Sequence, residues 1–186
     1  MTTPRLDDVL DTAELLFDRD ALEDAIDTMA DDIADDYGDD DTPPVFLTIM
    51  HGGLPFAAQL AFALGENEVD VEMDYLHATR YRGNTTGSGL AWLHRPATPL
   101  QGRRVLLVDD ILDEGHTLKA VRQWVEDQGA LDVRVAVLAV KDHDRLVEGI
   151  EADYVGVEVP DRYVFGYGMD FHEQGRNLPG IYALAE

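Results

Sequence analysis

The stretch Val105-Leu-Leu-Val-Asp-Asp-Ile-Leu-Asp-Glu-Gly-His-Thr-Leu118 decides how this chain folds. Its first half, Arg104–Val108, is β-branched and aliphatic without alternation, the pattern of a strand buried on both faces. The strand delivers Asp109, Asp110 and Asp113 into a loop that opens a helix, in which Leu118, Val121, Trp124 and Val125 share one face up to Gly129. The same alternation of elements extends in both directions. Upstream lie an apolar run Val45–Met50, the loop His51-Gly52-Gly53 and an apolar helix over Pro55–Leu64; downstream come buried strands over Val133–Val140 and Tyr154–Val159. Repeated strand–helix–strand order predicts an α/β fold, a central, mainly parallel sheet with helices on both faces. Such sheets bind ligands beyond the carboxyl ends of their strands, and Asp109–Thr117 lies there.

Between these elements, Val69, Val71, Met73 and Tyr75 alternate with polar residues and predict a strand with one wet face. Arg80–Gly89 holds three glycines with Asn84, Thr85, Thr86 and Ser88 and reads as a long loop, with Leu90–His94 as the strand that returns from it. Nearer the N-terminus, Asp20-Ala-Leu-Glu23 fits a capping box for a helix whose Leu22, Ile26, Met29, Ile33 and Tyr37 recur at helical spacing. That helix stops at Gly38 and the Asp39–Pro44 run, and a further helix is expected around residues 6–17. Residues 1–44 are thus expected to be an acidic helical segment packed as a lobe on the rest of the chain.

The 186 residues suit one domain. They carry 38 Asp and Glu against 14 Lys and Arg, a net charge of -24, while an apolar share of 45% leaves enough to build a core. Without cysteine the chain has no disulfide, thiolate nucleophile or cysteine-based zinc site, and its six histidines lack metal-ligand spacing. So negative a surface repels phosphate backbones and anionic membranes, so neither nucleic acid nor membrane is an expected partner. No apolar run approaches the ~18 residues of a membrane span, and Met-Thr-Thr-Pro-Arg-Leu-Asp-Asp is no secretory leader; a cytoplasmic protein is expected. Residues 1–45 hold 16 carboxylates and two arginines. They suit a docking surface for a basic partner or, as the plainer reading, a surface adapted to high salt, where a Debye length of about 3 Å at 1 M quenches self-repulsion.

The chemistry gathers at Asp109–Thr117. Adjacent carboxylates at a strand edge can bind Mg²⁺ or sugar hydroxyls. Backbone N–H groups from Glu114 to Thr117, with Gly115 allowing close approach, can cradle a phosphate at a helix N-terminus. Carboxylates and a phosphate nest about one turn apart suit a phosphorylated sugar, although Asp113 or Thr117 alone would serve equally as a helix cap. Neither G-x-x-x-x-G-K-[ST] nor G-x-G-x-x-G is present. A response-regulator receiver would need a phosphoacceptor Asp at the end of a later strand, where this chain has Val140-Lys141.

With the order of these parts, the chain resembles the type I phosphoribosyltransferases, in particular the hypoxanthine-guanine phosphoribosyltransferase group. The likeness rests on Val105–Leu118, the family's signature for 5-phosphoribosyl 1-pyrophosphate (PRPP), and on Tyr154-Val-Gly-Val-Glu-Val-Pro-Asp-Arg-Tyr-Val-Phe-Gly-Tyr-Gly-Met-Asp170, which looks like its purine-site region. The resemblance implies a single domain with core and hood over 45–186, a flexible β-hairpin lid, and Mg²⁺-dependent transfer of the phosphoribosyl group to hypoxanthine or guanine in purine salvage. It further implies that Asp109 and Asp110 hold the ribose hydroxyls, partly through Mg²⁺. Asp113 is then the general base facing purine N7, and Glu114, Gly115, His116 and Thr117 take the 5′-phosphate. His51, Gly52, Gly53 and Arg176 meet the pyrophosphate. Lys141 reaches the exocyclic O6, Tyr163 stacks on the base, the Val164 backbone reads its edge, and Asp170 serves a second Mg²⁺ or the base's 2-position. Arg80 and Tyr81 are the lid contacts, and a homodimer or homotetramer is implied.

Plainer roles exist for several of these residues: Lys141 as a strand-end charge, Tyr163 as a core aromatic, Asp170 as a turn cap, Arg176 as a partner of a surface carboxylate. Two departures from the family pattern matter. The family's usual Lys after the first strand is His51, whose charge depends on pH. Glu114 stands where Thr is common; a carboxylate about 5 Å from a phosphate charge costs roughly 3 kcal/mol at an effective dielectric near 20, so Glu114 must turn away or pair with a base such as His116. Alternatives are preference for xanthine, or a non-catalytic sensor of PRPP or purines. A nucleic-acid-binding sensor would need a basic surface that a net charge of -24 does not supply.

Overall fold

Six strands order themselves around the segment Val105–Leu118. In this computed structural model, residues 5–38, 40–80 and 90–185 are described, excluding the side chains of Arg80 and Leu90. The elements run α1 Leu6–Leu10, β1 Glu14–Phe17, α2 Arg19–Tyr37, β2 Val45–Ile49, α3 Leu54–Glu66, β3 Glu72–Arg80 and β4 Leu90–His94. Then come β5 Arg104–Leu112, α4 His116–Asp127, β6 Asp132–Asp142, β7 Tyr154–Pro160, β8 Val164–Phe165 and β9 Ile181–Ala183. The central sheet has the order β4-β3-β2-β5-β6-β7, parallel except for β4, which returns antiparallel to β3. β1, β9 and β8 form a small antiparallel sheet, the hood. The α/β class and the type I phosphoribosyltransferase-like plan are as the sequence led us to expect.

All five residues of β2 and Val105–Val108 of β5 are buried. Successive residues face opposite ways, which divides the core in two. Val45, Leu47, Val105 and Leu107 pack with Leu118, Val121 and Val125 of α4. Phe46, Leu106 and Val108 pack with Leu22, Ile26 and Ile33 of α2 and with Phe56, Leu60 and Leu64 of α3. Each such side chain contributes about 1.5–3 kcal/mol of hydrophobic stabilisation. α2 is therefore part of the core and not of a separate lobe. Its C-terminal end is also fastened by polar contacts: the Tyr154 hydroxyl donates to Asp36 at 2.6 Å, Arg134 pairs with the same carboxylate, and the Arg104 guanidinium lies 3.9 Å from the Tyr37 ring centre. Burial pushes the Tyr37 hydroxyl up to about 12.

Three local expectations are corrected. The helix expected around residues 6–17 is only Leu6–Leu10, because Glu14–Phe17 pairs with Ile181–Ala183, and a ladder to a distant strand overrides helix propensity. The cap of α2 is Asp18, whose side chain accepts from the Ala21 N–H at 3.0 Å, while Glu23 is taken by Arg19 at 2.6 Å. The strand expected over Val69–Tyr75 begins at Glu72 with its faces reversed: Leu76 and Ala78 are buried, Met73 and Tyr75 exposed. Register with β2 puts Met73 and Tyr75 on the α3 side of the sheet, beyond the helices that cover it.

The acidic surface keeps a large uncompensated charge. Arg103, Arg104, Arg134, Arg145, Arg162 and Arg176 are all paired with carboxylates. Asp24, Asp27, Asp32 and Asp35 of α2 stand exposed with no cation paired to them among the described residues. The melting temperature is expected to rise between dilute buffer and molar KCl as the Debye length falls to about 3 Å. Scanning calorimetry across that range reads this, and a flat or falling series would overturn high-salt adaptation.

Candidate active site

The order of strands reverses at β2 and β5: β3 continues on one side, β6 on the other. Crevices of open α/β sheets form at such a point, and the loops after these two strands meet there. A Cβ on Gly53 would lie 2.8 Å from the Val108 carbonyl oxygen, and one on Gly52 would lie 2.0 Å from Asp110 Oδ2. Only glycine lets His51–Gly53 sit this close to the acidic pair.

Two adjoining cavities open over the crevice. One, of about 510 Å³, is lined by Asp109, Asp113, Glu114, Gly115, His116 and Thr117 with their neighbours. The other, of about 370 Å³, is lined by Asp110, Asp113, Lys141, Tyr163, Val164 and Asp170 with theirs. Asp113 belongs to both.

Asp109 and Asp110 sit side by side at the strand end. Each accepts the N–H of the following residue, at 3.0 and 2.8 Å. Desolvation pushes both above the ordinary carboxylate range, Asp109 strongly because the Asp110 charge adds to it, while the hydrogen bond with Asp109 and the Arg176 charge partly offset the rise at Asp110. Two half-buried, hard oxygen donors side by side at the strand end fit Mg²⁺, which takes one or two carboxylates and completes its shell with water and phosphate oxygens. Asp170 does not join them: the described residues hold no group of three or more metal-binding side chains.

In the larger cavity, Gly115 adopts φ +79 ahead of α4, where a Cβ would be strained and would lie 2.7 Å from Ile150. The N–H groups of Gly115, His116 and Thr117 have no acceptor among the described residues; they stand at the start of a 12-residue helix, where first-turn N–H groups point out of the N-terminus. Glu114 lines the same cavity, its carboxylate 3.6 Å from His116 Nε2 and 4.0 Å from Arg145 Nε, so an arginine stands beside its charge.

Asp113 is gripped from two sides. Lys141 Nζ lies 2.7 Å from Oδ2 and His143 Nε2 lies 2.6 Å from Oδ1. Burial works against its ionisation, but these two donors outweigh that and hold the carboxyl below its usual range.

Across the smaller cavity, Tyr163 presents a half-exposed ring, its hydroxyl donating to the Asp170 carbonyl oxygen at 3.0 Å, and Val164 is buried beside it. Asp170 accepts the Glu173 N–H at 2.9 Å and pairs with Arg176 at 2.8 Å. Arg176 also donates to the Gly168 carbonyl oxygen at 2.8 Å. Both therefore have the plain roles of turn cap and carboxylate partner in addition to any role toward ligand. His51 is exposed, its ring 4.3 Å from that of His77, and His77 is lowered by burial, by His51 and by Arg176. Of the lid, Arg80 ends β3, and its side chain, like Tyr81 and the rest of the loop to Gly89, lies outside the described residues.

The model of the phosphoribosyl transferase domain matches residues 12–172. The chain belongs to this family. Among relatives, it is 39% identical over 144 residues to the hypoxanthine-guanine phosphoribosyltransferase of Streptococcus pneumoniae, covering 77% of this chain and 78% of that one. It is 37% identical over the same length to the enzyme of that name from Streptococcus agalactiae. Among solved structures, the hypoxanthine phosphoribosyl transferase of Trypanosoma cruzi superposes with a TM-score of 0.86 at 29% identity, covering 94% of this chain and 92% of that one. One residue of the crevice escaped the sequence reading altogether, His143, which meets Asp113. The available signal was its spacing from Lys141: residues two apart at a strand end point the same way, so the partner of Lys141 is shared.

Proposed function

We propose that this phosphoribosyltransferase joins hypoxanthine or guanine to the phosphoribosyl group of PRPP, giving IMP or GMP and releasing pyrophosphate. The observation that carries this reading is Asp113, a carboxylate forming the common wall between a cavity with a phosphate nest and a cavity with an aromatic face and a lysine. The names of the relatives support the same reaction.

In this scheme the 5′-phosphate lies on the amides of Gly115, His116 and Thr117, and the ribose hydroxyls on Asp109 and Asp110. Those two residues would also hold Mg²⁺, which when bound supplies positive charge against the pyrophosphate. Tyr163 stacks on the purine, Lys141 donates to O6 and the Val164 backbone reads the edge. Asp170, held by Arg176, fits the base's 2-position. The purine nitrogen forms its bond to C1′ as the bond to pyrophosphate oxygen breaks, and the N7 proton passes to Asp113, which the low carboxyl range keeps ionised beforehand. Arg176 and the His51–Gly53 loop face the leaving pyrophosphate, with Arg80 and Tyr81 on a closing lid.

Assembly as a homodimer or homotetramer belongs to the proposal and is supported by the exposed Met73, Tyr75, Leu54 and Phe62. No helix among the described residues is long and apolar enough to cross a membrane, and a cytoplasmic location is proposed. The test is turnover of PRPP and Mg²⁺ with each purine base in high salt, following pyrophosphate, with sedimentation of the same preparation. Hypoxanthine and guanine are expected to react and the protein to sediment as a dimer or larger. Turnover with xanthine alone, or with no base, would overturn the reading, and a monomer would remove the assembly.

A further inference from the structure

His143 is 3% exposed at its side chain and lies among groups that account for each of its ring nitrogens. Its Nδ1 accepts the backbone N–H of Arg145 at 3.0 Å. A nitrogen that accepts carries no proton, so in the neutral ring the proton sits on Nε2, and Nε2 lies 2.6 Å from Asp113 Oδ1. Arg145 is itself anchored, its two terminal guanidinium nitrogens meeting Asp161 at 2.7 and 2.6 Å just before Tyr163. The ring is thus fixed in tautomer and orientation by a segment tied to the hood.

We infer that His143 is a positioning residue for the transfer reaction, the donor that keeps Asp113 aimed at the base once Lys141 has turned to the purine. This rests on the proposed transfer to a purine base. Lys141 holds the other oxygen, Oδ2, on a flexible four-carbon stem, and the proposed reaction asks it to serve O6 as well. A single remaining donor that could swing would leave Asp113 free to rotate away from N7, and misplacement of this kind costs up to about 100-fold in rate. His143 is buried and locked, so its grip persists. It also stabilises the ionised carboxylate, and loss of that donor moves the carboxyl pKa upward. The charged groups acting on this pair are Lys141 on β6, Arg145 on the following loop with Glu114 beside it, and Asp161 after β7.

The experiment compares wild type, His143→Gln, which retains a terminal N–H donor, and His143→Leu, which does not. Two readouts are taken: the pH profile of kcat and kcat/KM, and the titration of the Asp113 carboxyl carbon by NMR in the free protein. For His143→Leu, kcat falls about 10- to 100-fold with the KM for PRPP little changed, and the acid limb and the carboxyl titration move upward. His143→Gln recovers most of both. Identical titration and kcat in all three, or equal losses in Gln and Leu variants of unchanged melting temperature, would overturn the inference. A wild type inert toward every purine would instead sink the proposed reaction, and the carboxyl titration would still decide whether His143 governs Asp113.

Discussion

Asp113→Asn is expected to lower kcat by about 100- to 10,000-fold while PRPP affinity stays within a few-fold of wild type. That range is what a positioned general base contributes. The substitution removes the group proposed to receive the N7 proton and hardly changes the shape of the wall between the two cavities. The phosphate nest and the acidic pair lie on other residues, so the sugar phosphate loses little. Asn offers one oxygen where Asp113 offers two, so either Lys141 or His143 is left without its acceptor. A modest loss of stability is expected with the catalytic loss, and a melting curve separates the two. Isothermal titration with PRPP beside steady-state kinetics makes the measurement; equal losses in affinity and turnover would contradict the proton-transfer role.

Gly168→Ala is expected to damage both stability and catalysis from a position that touches no substrate group. Gly168 holds φ +105, where an L side chain is strained by about 1–3 kcal/mol. Its added Cβ would lie 2.0 Å from the Gly52 carbonyl oxygen. A backbone atom cannot rotate aside, so either the hood loop lifts or the His51–Gly53 loop sinks toward Asp110, at a further cost of about 1–3 kcal/mol. A melting temperature lower by roughly 4 °C or more is expected, with kcat/KM down more than about tenfold as the base and pyrophosphate halves separate. Gly65→Ala is the control: its Cβ meets nothing within 4 Å inside α3, and helix propensity favours Ala by about 1 kcal/mol. Wild-type kinetics and melting for Gly168→Ala would show that the two loops yield freely.

What could be read from the chain was what is local in sequence. β2, β5 and β6 were legible because buried strands are continuous apolar runs, and Asp109–Thr117 because acidic pair, nest and helix start occupy nine consecutive residues. The likeness at Val105–Leu118 then carried the family. What escaped was decided by partners far away. Glu14–Phe17 became a strand because Ile181–Ala183 is there to pair with it, across more than 160 residues. β3 exposes Met73 and Tyr75 because the helices stop short of that edge, which no alternation pattern records. His143 was one of six scattered histidines until the fold set Asp113 against it. Glu114 could be foreseen to need a cation from Coulomb's law alone, and His116 and Arg145 are the ones it meets.

The hood is stitched from segments far apart along the polypeptide. β1 borders β9, and β9 borders β8, which carries Val164 into the smaller cavity. Arg162 adds a clasp, pairing with Glu14 and donating to the Leu184 carbonyl oxygen next door to Tyr163. If that cavity takes the base as proposed, a change that disturbs β1 is felt at nucleobase recognition, some 150 positions along the backbone from residue 14. Substitutions around Glu14 would then alter substrate choice without touching the pocket.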